Sequence, residues 1–308
     1  MRHLRSVPPP GTAPDPSEPL SPSELATLLE RTSRTFALTI PLLEEPLATD
    51  VGLAYLLFRI ADTLEDAPLW GRDIRMVALD SFGEWLVGEH DEHAWLDAVK
   101  TSPPTDDKGC MALIARAEGV RTSVAQRGTE IAIAITMDVV RTSSKMAEFV
   151  ARQTERGGLV LSDLEDLRAY CYAVAGIVGE LLTELFLRRD PSLEEERDVL
   201  MDLAPAFGEA LQLVNILKDA PSDAREGRSY LPLGVDRADV MALAREDLVK
   251  ANLYVEVLMD SGASTHVQRF CELPVRLAEA TLDRLEQGID KLTREEVVQI
   301  FVDVTREE

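Results

Sequence analysis

Two groups of carboxylates carry the chemistry this sequence is equipped for. The first closes the apolar run from Val51 to Asp66, where Asp62, Glu65 and Asp66 stand three and four residues apart. On a helix of 3.6 residues per turn those positions share one face. Like charges so placed repel one another, and the C-terminal end of a helix disfavours anions further. Such a placement serves either open water or a bound cation. The second group lies within residues 211–232, where Asn215, Asp219 and Asp223 recur every four residues with Lys218, Arg225 and Arg228 beside them. On a continuous helix they form one oxygen-bearing stripe. Magnesium takes one or two carboxylates from a protein and completes its shell with water and phosphate oxygens. Adjacent basic groups suit the remaining phosphate contacts. Each group alone reads more simply as a solvated helix face. Two of them in one helical chain, each following an apolar amphipathic segment, point to a metal-assisted diphosphate site.

The elements that must position these groups read as helices throughout. Leu, Ala, Glu and Arg dominate, hydrophobic residues make up 45% of the chain, and no alternating strand pattern persists beyond a few residues. Helical periodicity predicts segments near 22–31, 33–40, 47–66, 71–88, 109–126, 129–139, 144–155, 163–187, 193–219, 236–260, 263–288 and 294–305. Capping-box spacing recurs at Ser21/Glu24, Ser162/Glu165 and Thr293/Glu296. Residues 1–20 hold six prolines and few large apolar groups, so they are expected to be a disordered tail. Residues 21–308 are expected to form a single all-α domain, with 100–108 a polar loop. Pro221, between Asp219 and Asp223, removes a backbone donor and disfavours helix at Ala220. The helix is therefore expected to kink or end there, with Asp223 presented from a turn.

Composition narrows the partners. Fifty-five acidic residues against 32 basic ones give a formal charge of -23, which repels nucleic acid and leaves no basic stripe to bind it. A diphosphate would be repelled too, unless cations or local arginines neutralise it. Cys110, Cys171 and Cys271 are odd in number and widely spaced, so no disulfide framework is expected and a reducing compartment fits. His90 and His93, flanking Asp91 and Glu92, read as a solvated loop rather than a metal site. No secretory signal is evident, and no apolar run approaches the roughly 20 residues a membrane helix needs. A cytoplasmic protein is expected.

At this point the sequence resembles the squalene and phytoene synthase family, the head-to-head prenyl transferases, from about Ser33 to Val297. Ser33-Arg34-Thr35-Phe36-Ala37 is similar to the family's early SRxFA segment. Tyr55 through Asp66 resembles its first aspartate-rich motif, with Arg59 one turn before Asp62. Tyr170-Cys171-Tyr172-Ala173-Val174-Ala175-Gly176 resembles its YCxxVAG segment, and Asn215 through Pro232 its second aspartate motif. Asp62-Thr63-Leu64-Glu65-Asp66 and Phe270-Cys271-Glu272-Leu273-Pro274 lean toward squalene synthases, whereas Tyr230-Leu231-Pro232 looks more like bacterial phytoene synthases. Lys218 stands where the family usually has arginine and lacks its bidentate geometry. Glu180 and Glu184 occupy positions where apolar or basic residues are commoner.

The resemblance implies an isoprenoid-synthase-type helical bundle around a central cavity, monomeric by the family's habit. It implies Mg2+ held by Asp62, Glu65, Asp66, Asn215, Asp219 and Asp223, and diphosphate contacts from Ser33, Arg34, Tyr55, Arg59, Gln212, Asn215, Lys218 and Arg228. Tyr170 would stabilise a cation or relay a proton; Tyr172 reads as helix packing. Lys291 and Arg294 resemble a late basic stretch that contacts the phosphate of NADPH, and equally read as the cap of the last helix. No GxGxxG fingerprint accompanies them. The implied reaction joins two farnesyl diphosphates, or longer prenyl diphosphates, through presqualene diphosphate to squalene. A greasy product implies transient contact with the inner face of a membrane. Two other readings stay open: a phytoene or dehydrosqualene synthase without hydride transfer, and a non-catalytic helical assembly factor. Gly176 and Gly179 share a face, where close helix packing is the simpler role.

Overall fold

The computed structural model describes residues 15–33, 35–88, 93–153, 159–225, 229–289 and 291–306. Fourteen α-helices and no strand occur among them. They are α1 (Pro22–Thr32), α2 (Phe36–Thr39), α3 (Leu47–Asp66), α4 (Arg72–Val87), α5 (Ala94–Thr101), α6 (Lys108–Ile114), α7 (Ala117–Ala125), α8 (Thr129–Ala151), α9 (Leu164–Cys171), α10 (Ile177–Arg189), α11 (Arg197–Arg225), α12 (Arg237–Asp260), α13 (Thr265–Glu286) and α14 (Arg294–Thr305). A π turn, Tyr172–Gly176, joins α9 to α10.

Helix α3 runs through the core. Leu56, Leu57, Ile60, Ala61 and Leu64 are wholly buried, because α1, α4, α6, α7, α8 and α10 all pack around it. The other half of the core is α11, wedged between α10, α12 and α13. Its approach to the π turn and α10 is backbone on backbone. A Cβ on Gly208 would stand 2.0 Å from the Ala175 carbonyl oxygen, and one on Gly179 would stand 2.1 Å from that of Ala204. The close-packing role expected of Gly179 is therefore what the structure shows. Glu180 and Glu184, on the outer side of α10, pair with Arg141 and with Arg188 and Arg197 respectively.

Several expectations are corrected. Residues 129–151 form one helix rather than two, since Val139, Thr142 and Ser143 continue its buried stripe. The segment 109–126 breaks at Ala115–Arg116 into α6 and α7. Helix α5 was not expected; Trp95 drives it, packed on Phe82 and Trp85, whereas His90, Asp91 and Glu92 lie outside the described residues. The N-cap of α9 is Asp163, which accepts from Asp166 N–H, and not Ser162. The capping boxes at Ser21 and Thr293 form as expected. Residues 15–20, expected in a disordered tail, are instead tied to the fold: Arg116 donates to the carbonyls of Asp15 and Glu18, and Leu20 N–H donates to Ser123 Oγ, while residues 1–14 lie outside the described residues.

Two stretches, Leu164–Arg189 and Pro191–Arg225, are in fact long and apolar enough to cross a membrane, but both are mostly buried in the core. The three cysteines are free and buried. Helix α11 also continues through Pro221 to Arg225. Proline there strips the Leu217 carbonyl of its usual helical donor, and Arg237 supplies a replacement, donating from Nη2 to Leu217 O at 3.1 Å. Asp223 is thus presented from a helix, not a turn.

Candidate active site

Helices α2, α3, α8, α10, α11 and α13, with the π turn, enclose a cavity of about 280 Å³. Its walls are largely apolar, with Phe58, Val178, Phe207, Leu211 and Phe270 among them. Polar groups border it from two sides. Tyr55, Arg59 and Asp62 come from α3, and Gln212 and Asn215 from α11. The two motifs recognised in sequence therefore meet across one cavity.

On the α3 side, Arg59 pairs with Asp62 one turn later. Tyr55 donates its hydroxyl to the Thr32 carbonyl at 2.9 Å and packs on Phe36. Burial raises its pKa, so it is a neutral donor. Ser33 accepts from Phe36 N–H at 2.8 Å and so caps α2; it does not itself border the cavity. Asp66 is exposed beside Asp62. Glu65, expected with them as a metal ligand, is buried behind that pair. Burial, then the charges of Asp66 and Asp62, push its carboxyl well above the ordinary carboxylate range, which makes it a poor cation ligand as placed. Tyr170 donates to Glu65 Oε1 at 3.4 Å. It is buried between Phe149 and Tyr230 and does not reach the cavity surface. Its placement is behind the acidic cluster, whereas the resemblance gave it the part of stabilising a cation or relaying a proton.

On the α11 side, Lys218 Nζ lies 2.8 Å from Asn215 Oδ1 and 3.4 Å from Asp219 Oδ2. Continuity of the helix through Pro221 keeps Asn215, Asp219 and Asp223 on one stripe, of which Asn215 borders the cavity. Among the described residues no three His, Cys, Asp or Glu side chains gather closely enough to hold an ion by themselves. The donors present are half-exposed oxygens on Asp62 and Asp219. That set fits magnesium, which needs few protein ligands when phosphate and water supply the rest. Arg34 and Arg228 lie outside the described residues. Lys291 and Arg294 are exposed, at the connection from α13 to α14, and neither borders the cavity.

The residues that sequence reasoning missed are mostly the cavity walls: Met146, Val174, Val178, Phe207 and Pro274. An apolar residue lining a void carries the same signal as one lining a core.

The family model for squalene/phytoene synthase matches residues 29–301. The chain belongs to that family. It is a family of prenyltransferase-type enzymes of isoprenoid biosynthesis, and the all-α cavity bundle is its isoprenoid-synthase fold. A squalene synthase of Cochliobolus lunatus is 25% identical over 91% of this chain and 71% of its own length. The squalene synthase R6 of a Phoma species is 28% identical over 66% of this chain but only 46% of its own. Phytoene synthase 1 of Arabidopsis thaliana is 31% identical, over 42% of this chain and 28% of that enzyme. The chain thus spans well under the full length of some curated relatives. Among solved structures, the complex of TcSQS with the ligand E5700 superposes with a TM-score of 0.72 at 24% identity, over 92% of this chain and 85% of that one. A dehydrosqualene synthase superposes at 0.58 and 20% identity, over 92% and 94%.

Proposed function

We propose that this protein condenses two prenyl diphosphates head to head, releasing pyrophosphate, and that its substrate is farnesyl diphosphate and its end product squalene. The observation that carries this reading is the meeting of Asp62 and Asn215, from two distant motifs, at one largely apolar cavity. The apolar walls suit prenyl tails, and the acidic and basic groups beside them suit a metal-bound diphosphate head.

Asp62 and Asp66 on one side, with Asn215, Asp219 and Asp223 on the other, would hold magnesium. When bound, the ion supplies Lewis-acid neutralisation of the leaving diphosphate. Arg59 and Lys218 would contact the phosphate oxygens, with Tyr55 and Gln212 positioned to orient the head group. The walls formed by Phe58, Phe207 and Phe270 keep water from the allylic cation that departure creates, and their ring faces favour positive charge. Tyr170, held on Glu65, supports the α3 carboxylates from behind.

The squalene assignment rests on the first motif, on the stretch from Phe270 to Pro274, and on squalene synthases among the relatives. Reduction by NADPH is part of that assignment, with Lys291 and Arg294 lying outside the cavity. A second reading, a phytoene or dehydrosqualene synthase, is favoured by Tyr230-Leu231-Pro232 and by the relatives of those kinds. Incubation with farnesyl diphosphate and magnesium, with and without NADPH, followed by mass spectrometry of the extract, decides between them. Squalene formed only with NADPH supports the proposal. A C30 dehydrosqualene regardless of NADPH, or turnover only of a longer substrate, selects the second reading.

A further inference from the structure

Arg59 is held more firmly than an arginine at a cavity mouth needs to be for packing alone. Its Nη1 donates to Asp62, one turn along the same helix. Its Nη2 donates to Cys110 Sγ at 3.6 Å, from α6, a different element 51 residues away in sequence. Its Nε is buried without a hydrogen-bond partner. With Asp62 as sole partner, the guanidinium could follow that half-exposed carboxylate wherever its χ angles went. A second anchor on another helix fixes the plane of the group, and the unmet Nε–H is a cost that this geometry carries.

The anchor is itself rigidly built. Asp107 caps α6, its Oδ1 accepting from Cys110 N–H at 2.8 Å. A Cβ on the intervening Gly109 would lie 2.3 Å from the Arg31 carbonyl oxygen, so α6 presses directly on the end of α1. That end leads into Thr32, whose carbonyl holds Tyr55, and into Ser33, which caps α2. The start of α6 therefore buttresses the α3 side of the site at two places at once, through Arg59 and through the chain beneath Tyr55. Cys110 is buried and no disulfide occupies it; its sulfur faces the guanidinium.

We infer that Cys110 is a positioning residue for Arg59, setting the guanidinium plane in which the diphosphate is received. The inference rests on the reading of Arg59 as a diphosphate contact. Cys110 touches no substrate; it acts through Arg59. Two consequences separate this role from simple core packing. The effect of losing the sulfur must appear in affinity for the anion, and it must require the arginine.

The test measures binding of inorganic pyrophosphate in the presence of magnesium by calorimetry, and KM and kcat with farnesyl diphosphate. The proteins are wild type, Cys110→Ala, Cys110→Val, Cys110→Ser, Arg59→Lys and the Arg59→Lys/Cys110→Ala pair. Loss of a hydrogen bond to sulfur, a weak acceptor, predicts pyrophosphate Kd and KM raised about twofold to fivefold in the Ala and Val variants, with kcat changed much less. Serine keeps an acceptor at the same place and restores most of the affinity. In the Arg59→Lys background, Cys110→Ala adds nothing. Thermal midpoints identify any variant that merely folds poorly, and the near-isosteric Ser and Val variants carry the comparison if Ala does so. Unchanged pyrophosphate affinity in folded Ala and Val variants overturns the inference, as does an equal loss with and without Arg59. If the pyrophosphate cycle behaves as expected while the wild type turns over no prenyl diphosphate, the proposed function falls and the positioning role stands.

Discussion

The two acidic segments proposed to share one diphosphate site stand in opposite mechanical situations. The first is the end of α3, a helix surrounded on all sides, whose Leu57, Ile60 and Leu64 show no exposure at all. Asp62 is therefore projected from a rod that cannot shift without moving the core. The second is the far end of α11. Its middle is clamped by glycine contacts to the π turn and α10, and Leu213, Val214, Ile216 and Leu217 are buried. Beyond Lys218 it leaves the core, and Pro221, Ala224 and Arg225 are exposed. One acidic segment is backed by packed core along its whole length, and the other only as far as Lys218. Under the proposed function, the buried backing of α3 holds Asp62 in place before the diphosphate arrives.

The comparison is broken most sharply by removing one carboxylate from each side. Asp62→Asn and Asp219→Asn are each expected to slow pyrophosphate release by about 100- to 1,000-fold, the scale of losing one preorganised electrostatic group. Parallel losses measured in a pyrophosphate-release assay mean that both walls are needed. A normal rate in Asp219→Asn would leave the α11 side without a catalytic part. Stability should separate the walls where activity does not. Leu57→Ala is expected to cost about 2–5 kcal/mol in denaturant unfolding, because the surrounding helices cannot close the cavity it leaves. Ala224→Ser at the exposed end of α11 should cost less than about 0.5 kcal/mol.

The buried middle of α11 can be tested by pH. Burial, then the neighbouring Asp247, push Glu209 up to about 7, with Arg168 opposing them. The folded protein then holds a proton between about 4.5 and about 7 that the unfolded chain has already released, so stability falls as pH rises through that window. Its contribution is complete below the unfolded pKa and gone above the folded one. Glu209→Gln should therefore gain on the wild type by roughly 1–2 kcal/mol at pH 8 and by nothing at pH 4, after allowance for partial solvent screening. Matching unfolding curves at both pH values would contradict this. A loss smaller than that at Leu57 is expected where α11 leaves the core. Arg237→Ala strips the Leu217 carbonyl of its donor and should cost about 1 kcal/mol. In a Pro221→Ala background, where the backbone N–H is restored, the same change should cost much less; an equal cost in both would remove Arg237 from the account of α11.

Much of this was legible beforehand, and unevenly. The ends of α3 and α14 are read directly, because apolar periodicity and a capping box act within a few residues. The pairing of the α3 and α11 motifs was likewise readable, since carboxylates at helical spacing are informative wherever the helices end up. The break between α6 and α7, the union of residues 129–151 and the short helix at Trp95 were not, because each depends on packing partners far along the chain. Pro221 shows the limit most clearly. Local rules end a helix there, and Arg237, sixteen residues later, supplies the donor that lets it continue.

What the sequence determined by itself is the all-helical class, the two sets of oxygen donors and the basic groups beside them, because those follow from residue types at fixed spacing along one helix. Only the tertiary structure decided which of the acids stand open and which are buried. It placed Asp62 at the cavity and Glu65 behind it, set Tyr170 at the back of the cluster, and left Lys291 and Arg294 away from it. Burial and distance between helices are properties of the packed chain. A carboxylate's role depends on both, since the same group binds a cation when half-exposed and loses its charge when enclosed.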